Sequence, residues 1–250
     1  MSWSILLLVL GCAILGAGLQ RVSGMGLGLV TAPTLSLVLG PVAGVTLSNV
    51  AAVAAALVLA VVMRQHIDWR RFRGVAPLLV VGSVVGARVV RTADTAVLDT
   101  VRGATVLVAI AAALGLQRQL NATGRLPALA SGALAGFMNT TAGVAGPAMT
   151  VYAVASRWDH RSFAATLQPV FLLANLASII TKALAGAGPP ADVVPWWAWA
   201  VAVAGVPVGI LVGTVLARRV SLRTARTVAL TVATAGGVVA LVRGVLGFVS

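Results

Sequence analysis

Two polar, glycine-rich stretches carry the residues whose types and spacing could do chemistry. One is Gln20-Arg21-Val22-Ser23-Gly24-Met25-Gly26-Leu27-Gly28; the other is Asn139-Thr140-Thr141-Ala142-Gly143-Val144-Ala145-Gly146-Pro147. Each interrupts a long apolar segment. A helix broken inside a bilayer leaves backbone N–H and C=O groups that need partners, and a solute or ion held at the midplane is one way to supply them. The N-termini of half-helices carry free N–H groups and partial positive charge, which suits an anion. Ser23, Gly24 and Gly26 in the first stretch, and Asn139, Thr140, Thr141, Gly143 and Gly146 in the second, are therefore candidate substrate contacts. Asn49, Gln168 and Asn175, on the helices that follow the breaks, are the uncharged polar groups next in line. Glycine in membrane helices also serves close packing, so the argument rests on the matched pair of breaks and not on any one residue.

The elements that must position these residues are membrane helices. The chain has 250 residues, 60% hydrophobic and 9% charged, with a mean hydropathy of +1.04; a soluble domain would carry roughly a quarter charged residues. The segment from Trp3 to Leu39 would measure about 55 Å as one helix, against a hydrocarbon core of about 30 Å, so it must fold back as a hairpin of two shortish helices broken at Gln20 to Gly24. Spans are expected near 44–63, 74–90 and 100–116. A second broken segment follows near 126–155, with arms of about a dozen residues, then spans near 163–184, 194–217 and 224–248.

An offset of about 119 positions aligns Ser23-Gly24 with Ala142-Gly143 and Asn49 with Gln168; further on, Gly82 and Gly86 align with Gly205 and Gly209. The expectation is an all-α integral membrane protein of two homologous repeats, residues 1–116 and 127–250, joined by a linker over 117–126. Each repeat has one broken, re-entrant hairpin and three transmembrane helices. The basic loop Arg64–Arg73 matches a loop without Lys or Arg at 185–193, and the weakly basic 91–99 matches the basic 217–226. The positive-inside rule then gives the repeats opposite orientation, with the linker inside and both ends of the chain outside. Parallel repeats remain the alternative, since the parity depends on how often each broken segment crosses.

The net charge of +13 does not indicate nucleic acid. The Arg residues sit in short runs between apolar segments, with no aromatic-interleaved basic face. Cys12 is the only cysteine, so a disulfide within the chain is excluded. No catalytic residue, cofactor or metal is expected: there is no Glu, the five Asp residues are read as loop residues, and His66 and His160 lie in basic loops without metal spacing. Val22-Ser23-Gly24 lacks a His in any span to activate a serine nucleophile. Lys182 and Arg88, near segment ends, are expected to snorkel to the interface, with anion attraction as the other reading. Arg21 is either a hairpin tip facing the cytoplasm or a direct anion partner.

These motifs resemble the TauE/SafE sulfite exporter-like permeases over nearly the whole chain. The resemblance rests on the duplicated architecture, Ser23-Gly24-Met25-Gly26 followed by Pro33, Gly132 and Gly136 leading to Gly143-Val144-Ala145-Gly146-Pro147 with Tyr152, and Gly86-Ala87-Arg88-Val89-Val90-Arg91. It implies a multi-pass permease of the bacterial plasma membrane for small, often sulfur-containing anions such as sulfite or organosulfonates. The expected function is a secondary anion transporter working by alternating access, with a passive anion channel or a non-transporting membrane scaffold as alternatives. The expected partners are a small anionic solute, the lipid bilayer, a coupling ion left unassigned and, as an open option, further copies of the chain in a homo-oligomer.

Overall fold

The computed structural model describes residues 3–115, 124–190 and 193–248. Among these residues the fold is all-helical: α1 Trp3–Ser23, α2 Leu27–Leu39, α3 Pro41–Val62, α4 Trp69–Thr92, α5 Thr95–Gly115, α6 Arg125–Ala142, α7 Gly146–Ala155, α8 His160–Leu184, α9 Trp196–Leu216 and α10 Leu222–Gly247. Seven of them, all but α2, α6 and α7, are long and apolar enough to cross a membrane. Most of the expected linker, and Asp192, lie outside the described residues.

Local chemistry sets the helix ends. The Asp68 carboxylate accepts from the N–H groups of Arg70 and Arg71, both at 3.0 Å. Asp94 accepts from Val97 N–H at 2.8 Å and Asp159 from Ser162 N–H at 2.9 Å. Three of the four described acids are thus spent satisfying first-turn donors. The fourth, Asp99, is not a loop residue: α5 begins at Thr95 and carries it as a half-buried helical side chain.

Both interrupted segments fold back on themselves. A Cβ on Gly16 of α1 would lie 3.0 Å from the Leu27 Cα and 3.3 Å from the Thr31 methyl of α2. In the second segment Ser131, Leu134 and Met138 of α6 share a groove with Ala148 and Val151 of α7. The arms are unequal, which corrects the expectation of two similar short helices. α1 and α6 have 21 and 18 residues, whereas α2 and α7 have 13 and 10. At 1.5 Å per residue the shorter pair reach only about 20 Å and 15 Å, so they begin within the bilayer. The breaks fall inside the two glycine-rich stretches, at their glycines rather than at their polar side chains. Gly24 (φ 80°) and Gly143 (φ 73°) take the left-handed conformation that ends α1 and α6. Gln20 and Asn139 stay helical, their amides bonding outward to Gln168 and Asn175 of α8 rather than to the local backbone.

Small residues bring the long helices together. On α9, Gly205, Gly209 and Gly213 press on Ala13, Ile14 and Gly18 of α1. On α4, Gly82 and Gly86 press on Ala133 and Phe137 of α6, while Gly132 and Gly136 of α6 press on Val75 and Leu79 of α4. Side chains at these places would drive the backbones apart. Further pairs are α3 with α8 and α5 with α10. One face of the bundle gathers Asp68, Arg70, Arg71, Arg73, Arg125 and Ser156 around a single cavity. There the Arg71 guanidinium lies 4.6 Å from the Trp158 ring centroid and donates to Ser156 Oγ at 3.2 Å. The opposite face gathers Val42, Val90, Ala93, Leu98 and Ala187 in one apolar cluster.

Candidate functional site

The two breaks meet. A Cβ on Gly28 would strike the Gly143 carbonyl oxygen, one on Gly143 would strike Ala32 Cβ, and one on Gly146 would lie 3.6 Å from Met25 Sδ. Between them is a void of about 20 Å³ lined by Gln20, Gly26, Gly28, Asn139, Gly143, Gly146, Phe171 and Asn175 among others. That is room for about one water molecule. The floor is built of glycine because the two backbones approach without intervening side chains.

Helix α8 holds both hairpin tips. Gln20 Nε2 donates to Gln168 Oε1 at 2.9 Å, and Asn139 Nδ2 donates to Asn175 Oδ1 at 3.0 Å. Gln168 Nε2 in turn donates to the Gly24 carbonyl at 3.1 Å and to the Ala164 carbonyl of its own helix at 2.9 Å. Gln168 and Asn175 are seven residues apart, two turns, and so project from one side of α8. All four amides are nearly inaccessible, with Gln168 at 0%. Buried amides in apolar surroundings need such partners.

Both short helices begin at the void without a side-chain cap. Gly26 precedes α2 and Ala145 precedes α7, neither helix has an acid in its first turn, and Pro147 occupies the start of α7. The unbonded N–H groups of the first turns therefore converge from two directions on one small space. That arrangement is electropositive without any formal charge.

Of the residues singled out from sequence, Gly26, Asn139, Gly143, Gly146 and Asn175 line the void, with Gln168 one hydrogen bond behind it. Ser23 is turned to its own segment, donating to the Leu19 carbonyl at 2.8 Å and bonding the Met25 carbonyl. Gly24 packs on Ala164, where a Cβ would come within 2.9 Å. Thr140 faces Gly86 of α4, and its buried hydroxyl has no partner. Thr141 donates to the Phe137 carbonyl at 2.9 Å. Asn49 Nδ2 donates to Ser178 Oγ at 2.7 Å, leaving its Oδ1 unpaired. Arg21 points away from the void, its Nε donating to Thr214 Oγ1 of α9 at 3.1 Å. Lys182 does not snorkel: it is 1% exposed and donates to Thr46 Oγ1 of α3 at 2.8 Å.

Gln20 and Arg102 are additions that reading the sequence did not single out as contacts. The offset that pairs Asn49 with Gln168 also pairs Gln20 with Asn139, so that signal was present. Arg102 lies within an apolar run, where an ionisable residue is itself a pointer to a site.

The chain matches one family, described as sulfite exporter TauE/SafE, over residues 8–240. No curated protein and no solved structure matches it.

Proposed function

The chain belongs to the sulfite exporter TauE/SafE family, and from that membership and the geometry of the paired breaks we propose that it is a secondary transporter of a small anion. The anion class is sulfite or an organosulfonate, and the membrane is the bacterial plasma membrane. The observation that carries this reading is the convergence of two uncapped helix N-termini, those of α2 and α7, on one void beside the Asn139–Asn175 and Gln20–Gln168 pairs. Backbone N–H groups and amide donors recognise oxyanions by hydrogen bonding. A void of about 20 Å³ is smaller than such a solute, so the state described is closed around the centre, and loading requires the hairpins to part.

The parting follows from an inverted duplication. α1 to α5 and α6 to α10 are the two repeats. The packing of α1 on α9 and of α6 on α4 supports a two-fold relation that exchanges the halves. The Arg-rich face with Arg70, Arg71, Arg73 and Arg125 is cytoplasmic, and the face with the α4–α5 turn and Ala187 is external. Rocking one repeat against the other would expose the void first to one face and then to the other.

The test is flux of labelled sulfite and propanesulfonate in proteoliposomes holding the purified chain. Saturable flux that shows counterflow is the expected result. Conductance far above transporter turnover would replace it with a channel, and flux no greater than in protein-free vesicles with every oxyanion tried would leave a scaffold.

A further inference from the structure

A second and larger cavity, about 260 Å³, lies between α2, α5 and α10 at the face of the Gly40-Pro41 corner. Its lining includes Pro33, Ser36, Asp99, Arg102, Val106 and Arg243. Arg102 is 5% exposed. Its Nε donates to the Thr141 carbonyl at 2.6 Å and its Nη2 bonds the Pro41 carbonyl. Its Nη1 makes no hydrogen bond, although Asp99 Oδ1 stands 3.5 Å away. Arg243 spends one donor on the Leu37 carbonyl at 3.4 Å. Arg102 and Arg243 thus share one carboxylate at this cavity, Arg102 from its buried wall and Arg243 from its exposed rim. Among the described residues the buried Nη1 has no hydrogen-bond acceptor, and a buried donor left unsatisfied is costly, so a ligand that brings negatively charged oxygens fits this cavity.

The geometry points to an anion-binding vestibule in this cavity, in which Arg102 Nη1 and Arg243 take the oxygens of a sulfonate and the walls at Pro33 and Val106 take its alkyl part. This deepens the transport reading and rests on it. Ala32 and Ala142 line the vestibule, Gly28 and Gly143 line the central void, and Ala32 packs on Gly143. The partition between the two spaces is therefore one layer of small residues. The guanidinium that holds the anion also holds the Thr141 carbonyl, two residues from the break at Gly143. Asp99 disfavours a dianion and suits a monoanion, the ionic form of an alkyl sulfonate.

The test uses the full chain in phosphatidylcholine nanodiscs, with Cys12→Ala and Ser36→Cys. Labelling rates are compared for a negatively and a positively charged methanethiosulfonate reagent. The anionic reagent is expected to be favoured by about tenfold over its ratio on a free thiol, and propanesulfonate should slow it severalfold. Arg102→Gln should remove both the preference and the protection, and Arg243→Gln should reduce both. Equal rates for the two reagents in the parent, or protection that survives Arg102→Gln, would overturn the vestibule. If Arg102→Gln does not fold, the parent's reagent preference and Arg243→Gln decide. Protection by phosphatidylglycerol in the disc but not by propanesulfonate would assign the cavity to a lipid headgroup and also overturn it. Flux without protection removes the vestibule and leaves the transporter, whereas protection without flux removes the transporter and leaves a binding site.

Discussion

Gln20 and Gln168 are joined amide to amide, 2.9 Å from Nε2 of the first to Oε1 of the second. The bond ties the last turn of α1 to the third turn of α8, and Gln168 extends it to the Gly24 carbonyl. One side chain thus holds both the end of a helix and the start of its break. Gln168→Leu keeps the volume and removes the partners. Each buried group left unsatisfied costs about 1–3 kcal/mol. The expected outcome is a lower thermal midpoint and sulfite flux reduced by at least about tenfold. Unchanged flux would separate the amide pair from function.

The second pair lends itself to a double-mutant cycle. Asn139→Ala, Asn175→Ala and the double variant should show a coupling of about 0.6 kcal/mol, with about 1.7 kcal/mol as the upper end for polar pairs between membrane helices. Unfolding of the purified chain in mixed micelles measures it. Additive losses would mean that the 3.0 Å contact contributes no specific energy.

Glycine at the meeting of the breaks should be irreplaceable, and Gly11 on the open side of the same hairpin should not be. A Cβ at Gly28 meets the Gly143 carbonyl, whereas one at Gly11 meets nothing within 4 Å. Gly28→Ala is expected to abolish flux or folding. Gly11→Ala is expected to keep both, gaining up to about 1 kcal/mol from helix propensity. Comparable behaviour of the two variants in flux and melting assays would contradict the closed contact.

Lys182 predicts opposite signs for stability and function. Among the described residues its ammonium donates only to Thr46, whose hydroxyl keeps its own bond to the Val42 carbonyl. Replacing a buried charge with an apolar side chain of similar shape is often neutral or stabilising by about 1–4 kcal/mol. Lys182→Met should therefore melt no lower than the parent while anion flux falls by about tenfold. Full flux would mean that the charge takes no part in drawing the anion.

Orientation is checked by cysteine accessibility in a Cys12→Ala background. Arg70→Cys should label from the cytoplasmic side and Gly188→Cys from the external side. Labelling of both from one side would remove the inverted arrangement and restore parallel repeats.

Much of this architecture was legible because a bilayer imposes few rules. Apolar length located the spans, and the gap between segment length and bilayer thickness required the folding back near Gly24 and Gly143. The charge of Arg64–Arg73 separated the faces. What escaped was local. Gln20 and Asn139 looked like breakers because they are polar, yet polarity inside a membrane helix is satisfied sideways, and the backbone departs only where glycine permits φ 80° or 73°. Asp99 looked like a loop residue because a hydropathy window places a boundary at the nearest charge. Here Asp99 and Arg102 are i,i+3 neighbours inside α5 that partner each other. Lys182 was assigned to the interface by its distance from a helix end, and only the neighbouring Thr46 reveals that it turns inward.

The pairing of α1 with α9 and of α4 with α6 bears on how the chain is made. The long arms α1 and α6 each pack, glycine against backbone, on a helix far along the chain. After α5 is complete at Gly115, about a hundred further residues must be added before the partner of α1 ends at Leu216. The first half is thus a client of the second, and assembly is a late event of synthesis rather than a sum of two finished halves.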